Sequence, residues 1–255
     1  MTNSEIMKIA MQQSAFDSNC CTEDFIKSEN KIVISGKSPN ARKYLELPFC
    51  CDLTSYGNNI VASVSEELTE AVSEYIAKYP IEHCFETPNL HILTEKLKPF
   101  NLNVCFMAEY FLPDMDSIKS LACKYETKVL EPEDFSDYYL PEWQNALCEK
   151  RKQLDKLAVG AFDNGKLIGL AGCSADCDTM WQIGIDVLPE YRRQGIASSL
   201  TSKLAIEVLK RNIVPFYCCA WSNIKSARNA IKSGFRPAWV QVTAKRNEYI
   251  AEMNK

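Results

Sequence analysis

The chain has 255 residues, 46% of them hydrophobic and 24% charged, which is enough apolar material for one large core or two ordinary ones and excludes a disordered chain. The formal charge of −4 offers no basic field to a polyanion, and no run of lysines and arginines is long enough to follow a duplex, so no nucleic acid partner is expected. No membrane association is expected either, since no apolar run approaches the roughly 20 residues of a spanning helix and Met1-Thr2-Asn3-Ser4-Glu5 does not open a secretory signal.

The chain begins with an expected helix near Ser4 to Gln13, followed by strands at Lys31 to Ser35 and Asn59 to Val64. Ser65-Glu66-Glu67 supplies a cap and an acidic first turn for a helix running to about Lys78. Another helix follows Asn89. Leu102 to Leu112 is rich in strand formers and Pro113-Asp114 closes it. This half carries no repeat, low-complexity stretch or charge block, and by itself names no chemistry.

A short helical segment is expected between Met115 and Tyr125, then a strand at Lys128 to Leu130 and a helix from about Pro141 to Lys152. A hairpin pairs Leu157 to Phe162 with Lys166 to Cys173 through Asp163-Asn164-Gly165, because Asn and Gly both tolerate positive φ. In the next strand Trp181, Ile183, Ile185 and Val187 share one face, and Gln182, Gly184 and Asp186 the other. Pro189 ends it. A helix begins at Gly195 with Ile196, Leu200, Leu204 and Val208 on one stripe, and Lys210 and Arg211 complement its C-terminal dipole. A strand from Ile213 to Trp221, a helix capped by Ser222 or Asn223 and stopped by Gly234, and a strand from about Trp239 to Lys245 complete the chain.

Twelve cysteines without an export signal read as reduced, mostly buried thiols, and the cytoplasm is the expected location. A zinc site is not expected. The nearest approach to ligand spacing is Cys173 with Cys177, and the only histidines are His83 and His91.

Arg192-Arg193-Gln194-Gly195-Ile196-Ala197-Ser198 lies between a strand end and a helix start. A helix N-terminus holds unpaired N–H groups and partial positive charge, Gly195 lets the backbone approach an anion, and two arginines add planar donors. The segment therefore reads as a pyrophosphate cradle, although a solvated basic turn fits the same residues. Neither Gly-x-Gly-x-x-Gly nor Gly-Lys-Ser/Thr is present.

The stretch Ile185 to Ala197 resembles the central motif of the GNAT N-acyltransferase superfamily, Arg/Gln-x-x-Gly-x-Gly/Ala, with Arg192, Gly195 and Ala197 in its fixed places and Val187, Pro189 and Tyr191 matching the approach. Asn223, Ser226 and Gly234-Phe235 match its second motif at the expected offsets. The resemblance covers about Lys128 to Lys245. It implies an α+β fold with a GNAT-type mixed, mostly antiparallel sheet flanked by helices, splayed where coenzyme A enters. Residues 1–118 would form a preceding, smaller α+β domain of unknown role and 119–255 the acyltransferase. Phe235-Arg236-Pro237-Ala238-Trp239 resembles a subgroup with such an additional domain, although an ordinary turn with an aromatic plug fits it equally.

By the same resemblance the co-substrate is acetyl-CoA. The amides from Arg193 through Gln194, Gly195, Ile196 and Ala197 to Ser198 would bind its pyrophosphate, with Arg192 beside them. Val187 and Leu188 would pair with the pantetheine arm, the Val187 amide would polarise the thioester carbonyl, and Asn223 and Ser226 would flank the arm. The proton carriers do not transfer: where many members have a glutamate this chain has Trp181-Gln182, and where many have a tyrosine it has Ala230. Asp186, Glu190, Tyr191 and Tyr217 are candidates, each with an equally good structural role, so no catalytic residue is assigned. Cys218 and Cys219 read as core residues rather than acyl carriers, because direct transfer needs no nucleophile and no His stands near. Three readings follow: an N-acetyltransferase for a small-molecule primary amine, one for a protein N-terminus or lysine, and a non-catalytic acyl-CoA-binding sensor or scaffold.

Overall fold

The computed structural model describes residues 1–255. In the first half the elements are α1 (Asn3–Ser18), β1 (Lys31–Ile34), β2 (Cys51–Ser55), β3 (Val61–Val64), α2 (Thr69–Lys78), α3 (Thr87–Leu97) and β4 (Leu102–Pro113). The second half contains β5 (Glu126–Leu130), β6 (Asp155–Asp163), β7 (Lys166–Ser174), β8 (Met180–Val187), α4 (Ile196–Lys210), β9 (Val214–Ala220), α5 (Ile224–Lys232), β10 (Phe235–Arg246) and α6 (Asn247–Met253). No helix is long and apolar enough to cross a membrane.

The chain forms two compact units, one of Met1–Ala10 with Phe111–Pro237 and one of Met11–Tyr110 with Ala238–Lys255. A single cut between residues 118 and 119 is therefore corrected to an exchange of both ends. The reasons are local. Asn3 donates from Nδ2 to Asp114 Oδ1 at 3.0 Å and accepts the Met115 N–H at 2.8 Å, which ties the start of the chain to the second half. At the other end, Val240 to Ala244 of β10 pair antiparallel with Ser55 to Cys51 of β2.

The unit that contains Met11–Tyr110 orders its strands β1-β3-β2-β10-β4, with β1 and β3 parallel and β2 antiparallel to both β3 and β10. Leu53, Ala62, Val64, Val72, Tyr75 and Leu93 are at 0% exposure in its core. β2 is absent from the expected elements because its alternation is only two repeats long, Cys51 and Leu53 against Asp52 and Thr54, and its polar face is buried as fully as its apolar one.

In the other unit β5, β6, β7 and β8 are antiparallel neighbours and β9 runs parallel to β8. This is the expected mixed, mostly antiparallel sheet in an α+β fold. Asn164 and Gly165 close the β6–β7 hairpin with φ of 50° and 83°, the pair of left-handed residues that such a turn requires. Ile196, Leu200, Leu204 and Val208 of α4 are all at 2% exposure or less and pack on Val159, Ala161, Ile168 and Ala171. Gly169 permits that approach, since a Cβ there would lie 2.9 Å from Ile196 and 3.2 Å from Leu200.

Two expected helices do not form. Residues 115–125 are turns and irregular chain, and 141–152 breaks into two 3₁₀ turns, Pro141–Trp143 and Glu149–Leu154. Between those turns the chain is held by the sheet instead. Asp186 accepts N–H bonds from Asn145 (2.8 Å) and Ala146 (3.0 Å), and the Asn145 side chain adds a third at 2.6 Å. Gly172 and Gly184 are cross-strand partners, and a Cβ on them would stand 2.1 Å from the Ala146 carbonyl oxygen and 1.7 Å from that of Asn145. The two glycines make a flat seat for the 145–146 backbone, which an α-helix could not occupy as closely.

Candidate functional site

β8 pairs with β7 along Gln182 to Val187, whereas its pairing with β9 stops at Ile183–Tyr217. Beyond that point the two parallel strands separate, so the end of β8 from Gly184 to Val187 is paired on its β7 side only. An opening beside unpaired strand backbone is a slot for an extended, amide-bearing ligand.

The strand runs directly into the loop that precedes α4. A 3₁₀ turn, Pro189–Tyr191, is followed by Arg193 at φ 62° and Gly195 at φ 81°, two left-handed positions within three residues. Gly195 adopts that conformation without cost, whereas Arg193 stores about 1 kcal/mol of backbone strain. The first bond inside α4 runs from the Ser199 N–H to the Gly195 carbonyl at 3.1 Å. The amides of Ile196, Ala197 and Ser198 thus precede the helical ladder and carry the positive end of its dipole. Arg192 folds back and donates from Nε to the Val187 carbonyl at 2.9 Å, which ties the loop to the strand end.

A cavity of about 230 Å³ sits on this loop. Of the residues singled out in the sequence it gathers Val187, Arg192, Arg193, Gly195, Ile196, Ala197 and Ser198, and Tyr191 joins them. Leu188, Gln194, Asn223 and Ser226 lie outside its lining. Leu188 packs beside the cluster of Leu130, Phe135 and Trp143, and Gln194 accepts the Tyr125 hydroxyl at 2.9 Å. Asn223 caps α5 by accepting the Ser226 N–H at 3.2 Å, and the Ser226 hydroxyl pairs with that of Tyr217 at 2.7 Å. The spacing of Asn223 and Ser226 is thus also that of a helix cap.

The opposite wall was not foreseen. Lys225, Arg228 and Lys232 line the cavity from α5, together with Asn229. Their spacing of three and four residues puts them on one helical face. With Arg192 and Arg193, five cationic side chains surround one helix N-terminus, an arrangement suited to several phosphate groups rather than one.

The proton-carrier candidates are all engaged. Asp186 holds the 145–146 backbone rather than standing solvated on its strand. Glu190 is 3.5 Å from Lys166. Tyr191 donates to Asp163 Oδ2 at 3.0 Å, which raises its pKa, and burial raises that of Tyr217 against its bond to Ser226. Ala230 is at 0% exposure among Tyr217 and Phe235, and Gln182 donates to Cys218 Sγ at 3.2 Å. Cys219 is buried in the same core.

Residues 116–235 match the model of the acetyltransferase (GNAT) family. Solved structures of similar fold include a GCN5-related N-acetyltransferase-like protein from Streptococcus suis, at 18% identity and a TM-score of 0.44 over 60% of this chain and 66% of that one. An acetyltransferase of the GNAT family from Colwellia psychrerythraea aligns at 16% identity and 0.43 over 56% and 57%. A GCN5-related N-acetyltransferase from Kribbella flavida aligns at 12% and 0.47 over 60% and 63%. The chain thus spans less than two thirds of the length of these structures. No curated protein matches it.

Proposed function

We propose that the protein is an acetyl-CoA-dependent N-acetyltransferase that transfers the acetyl group directly to the primary amine of a small molecule in the cytoplasm. The observation that carries this reading is the cavity in which five cationic side chains and the first amides of α4 adjoin a strand end paired on one side only. The cations and amides would take the phosphates of coenzyme A, and the backbone of Gly184 to Val187 would take the pantetheine amides.

The thioester supplies an acyl carbon already activated toward amines. The chain then has to orient it, donate a backbone N–H to the developing oxyanion at the end of β8, and let one proton leave the substrate ammonium so that the neutral amine can attack. A C–N bond forms as the C–S bond breaks, and the departing thiolate takes up a proton. No side chain is assigned to either transfer, because positioning and an oxyanion donor supply much of the rate for a reactive thioester. All twelve cysteines are free although three adjacent pairs exist, which fits a reducing compartment.

One observation favours a second reading, a non-catalytic acyl-CoA sensor: the place of the family's tyrosine is held by Ala230, sealed in the core. Thiol release from acetyl-CoA, together with a mass gain on members of an amine panel that includes basic peptides, tests both. Turnover supports the enzyme and its acceptor class, binding without turnover supports the sensor, and no coenzyme A binding overturns both.

A further inference from the structure

The unit that contains Met11–Tyr110 and Ala238–Lys255 holds a cavity of about 320 Å³ of different character. Alternate residues of β4, namely Phe106, Ala108 and Tyr110, line it, as do alternate residues of β10, namely Gln241, Thr243 and Lys245. The segment before β2 adds Tyr44, Glu46 and Phe49, and α6 adds Tyr249. Five aromatic rings thus enclose a space at the small end of ligand pockets.

Beneath the rings lies a buried polar layer with more negative than positive charge. Arg42, 4% exposed, donates from Nε to Asp17 Oδ2 at 2.6 Å and from Nη1 to the Tyr44 hydroxyl at 2.7 Å. Its guanidinium lies 5.4 Å from the ring centres of both Tyr44 and Tyr110. Asp52, at 0% exposure, accepts from Thr243 Oγ1 at 2.6 Å, Gln241 Nε2 at 2.8 Å and Thr54 Oγ1 at 3.1 Å. Two carboxylates therefore face one guanidinium, and at the rim Glu46 and Lys245 cancel in an ion pair of 2.6 Å. Lys245 also stands 5.0 Å from the Tyr249 ring centre. The ring faces of this cavity already accommodate cations, and an anion entering it would meet net negative charge.

The geometry points to a second binding site, specific for an organic ammonium ion with an apolar or aromatic body. Its ring faces and the excess of buried carboxylate hold the cation, and the β4 and loop aromatics hold the body. Glu46, with 65% of its side chain exposed, is free to exchange Lys245 for a ligand ammonium at the rim.

The test is isothermal titration of phenethylammonium, phenethyl alcohol and 3-phenylpropanoate into the full chain with no acyl donor present. The ammonium is expected to saturate the protein, the alcohol to bind at least about tenfold more weakly and the carboxylate not to saturate. Phe106→Ala and Glu46→Gln, at exposed positions, should each weaken the ammonium about fivefold, while Lys128→Ala leaves it unchanged. Failure of the ammonium to bind, equal affinity for the alcohol or carboxylate, or an unchanged Kd in both variants overturns the site. Acetyl-CoA is then added: a gain of one acetyl group marks the bound amine as an acceptor, and an unchanged amine marks it as an effector. Because binding is read without acyl donor, the site stands or falls separately from the acyltransferase reading.

Discussion

The two cavities solve opposite problems with similar materials. On the loop before α4, charge is supplied by exposed side chains and by main-chain amides, so the cavity is cationic, open and dependent on backbone conformation. In the other unit the charges are buried beneath aromatic rings, and the balance is set by Asp17, Arg42 and Asp52, each at 4% exposure or less. A site for phosphates can leave its cations in water, because each is stable there alone. A site for a small cation needs its carboxylates desolvated, which is costly unless every oxygen has a donor.

The largest effect expected from this contrast concerns Asp52. Burial pushes its carboxyl up to about 6 against the bonds from Thr243, Gln241 and Thr54. A raised folded-state pKa means that the folded chain holds a proton the unfolded chain has lost, so this group's contribution falls as pH rises from about 4 to about 6. Asp52→Asn removes the titration and keeps an acceptor for Thr243 and Gln241, both of which bond Oδ1. Chemical denaturation across that range should show the wild type losing about 3 kcal/mol relative to the variant, with no further change above it. A flat difference would mean that the floor of the aromatic cavity is not a desolvated acid.

The cationic cavity is broken by charge. Lys225→Glu with Arg228→Glu should weaken coenzyme A binding about 100-fold by calorimetry, with an unchanged circular dichroism spectrum, because exposed side chains on one helix face carry little of the fold. Affinity retained within threefold would remove α5 from the site. Gly195→Ala tests the backbone instead. Open space surrounds that position, but its φ of 81° strains any L side chain, so the cost is about 1 kcal/mol in thermal unfolding, with coenzyme A affinity falling severalfold. The smallest effect is ionic. Raising salt from about 50 to 300 mM should weaken coenzyme A severalfold and the ammonium ligand less than about twofold, since buried charges are screened far less than exposed ones.

The loop before α4 could be read from the chain because its signals are local: a strand ended by Pro189, two arginines, Gly195 and an apolar stripe on α4. The α5 wall could not. Lys225, Arg228 and Lys232 look like an ordinary solvated face until the fold brings that face to the loop, and only their three-and-four spacing hinted at it. The segment 141–152 has the composition of a helix, yet the flat seat at Gly172 and Gly184 and the acceptor Asp186 lie between about 25 and 40 positions away in sequence and capture its backbone. The aromatic cavity draws on residues from 44 to 249, a separation across which no periodicity could link them.

The placement of β10 also governs how the chain can be made. The unit that begins at Met11 needs Ala238–Lys255 to complete its sheet and its cavity, so during synthesis it waits, with β2 lacking its β10 neighbour, until residues 111–237 have been translated. The inserted unit can reach its native core first. A nascent chain stalled before residue 238 would therefore present Cys51 to Ser55 as an open edge to any chaperone within reach.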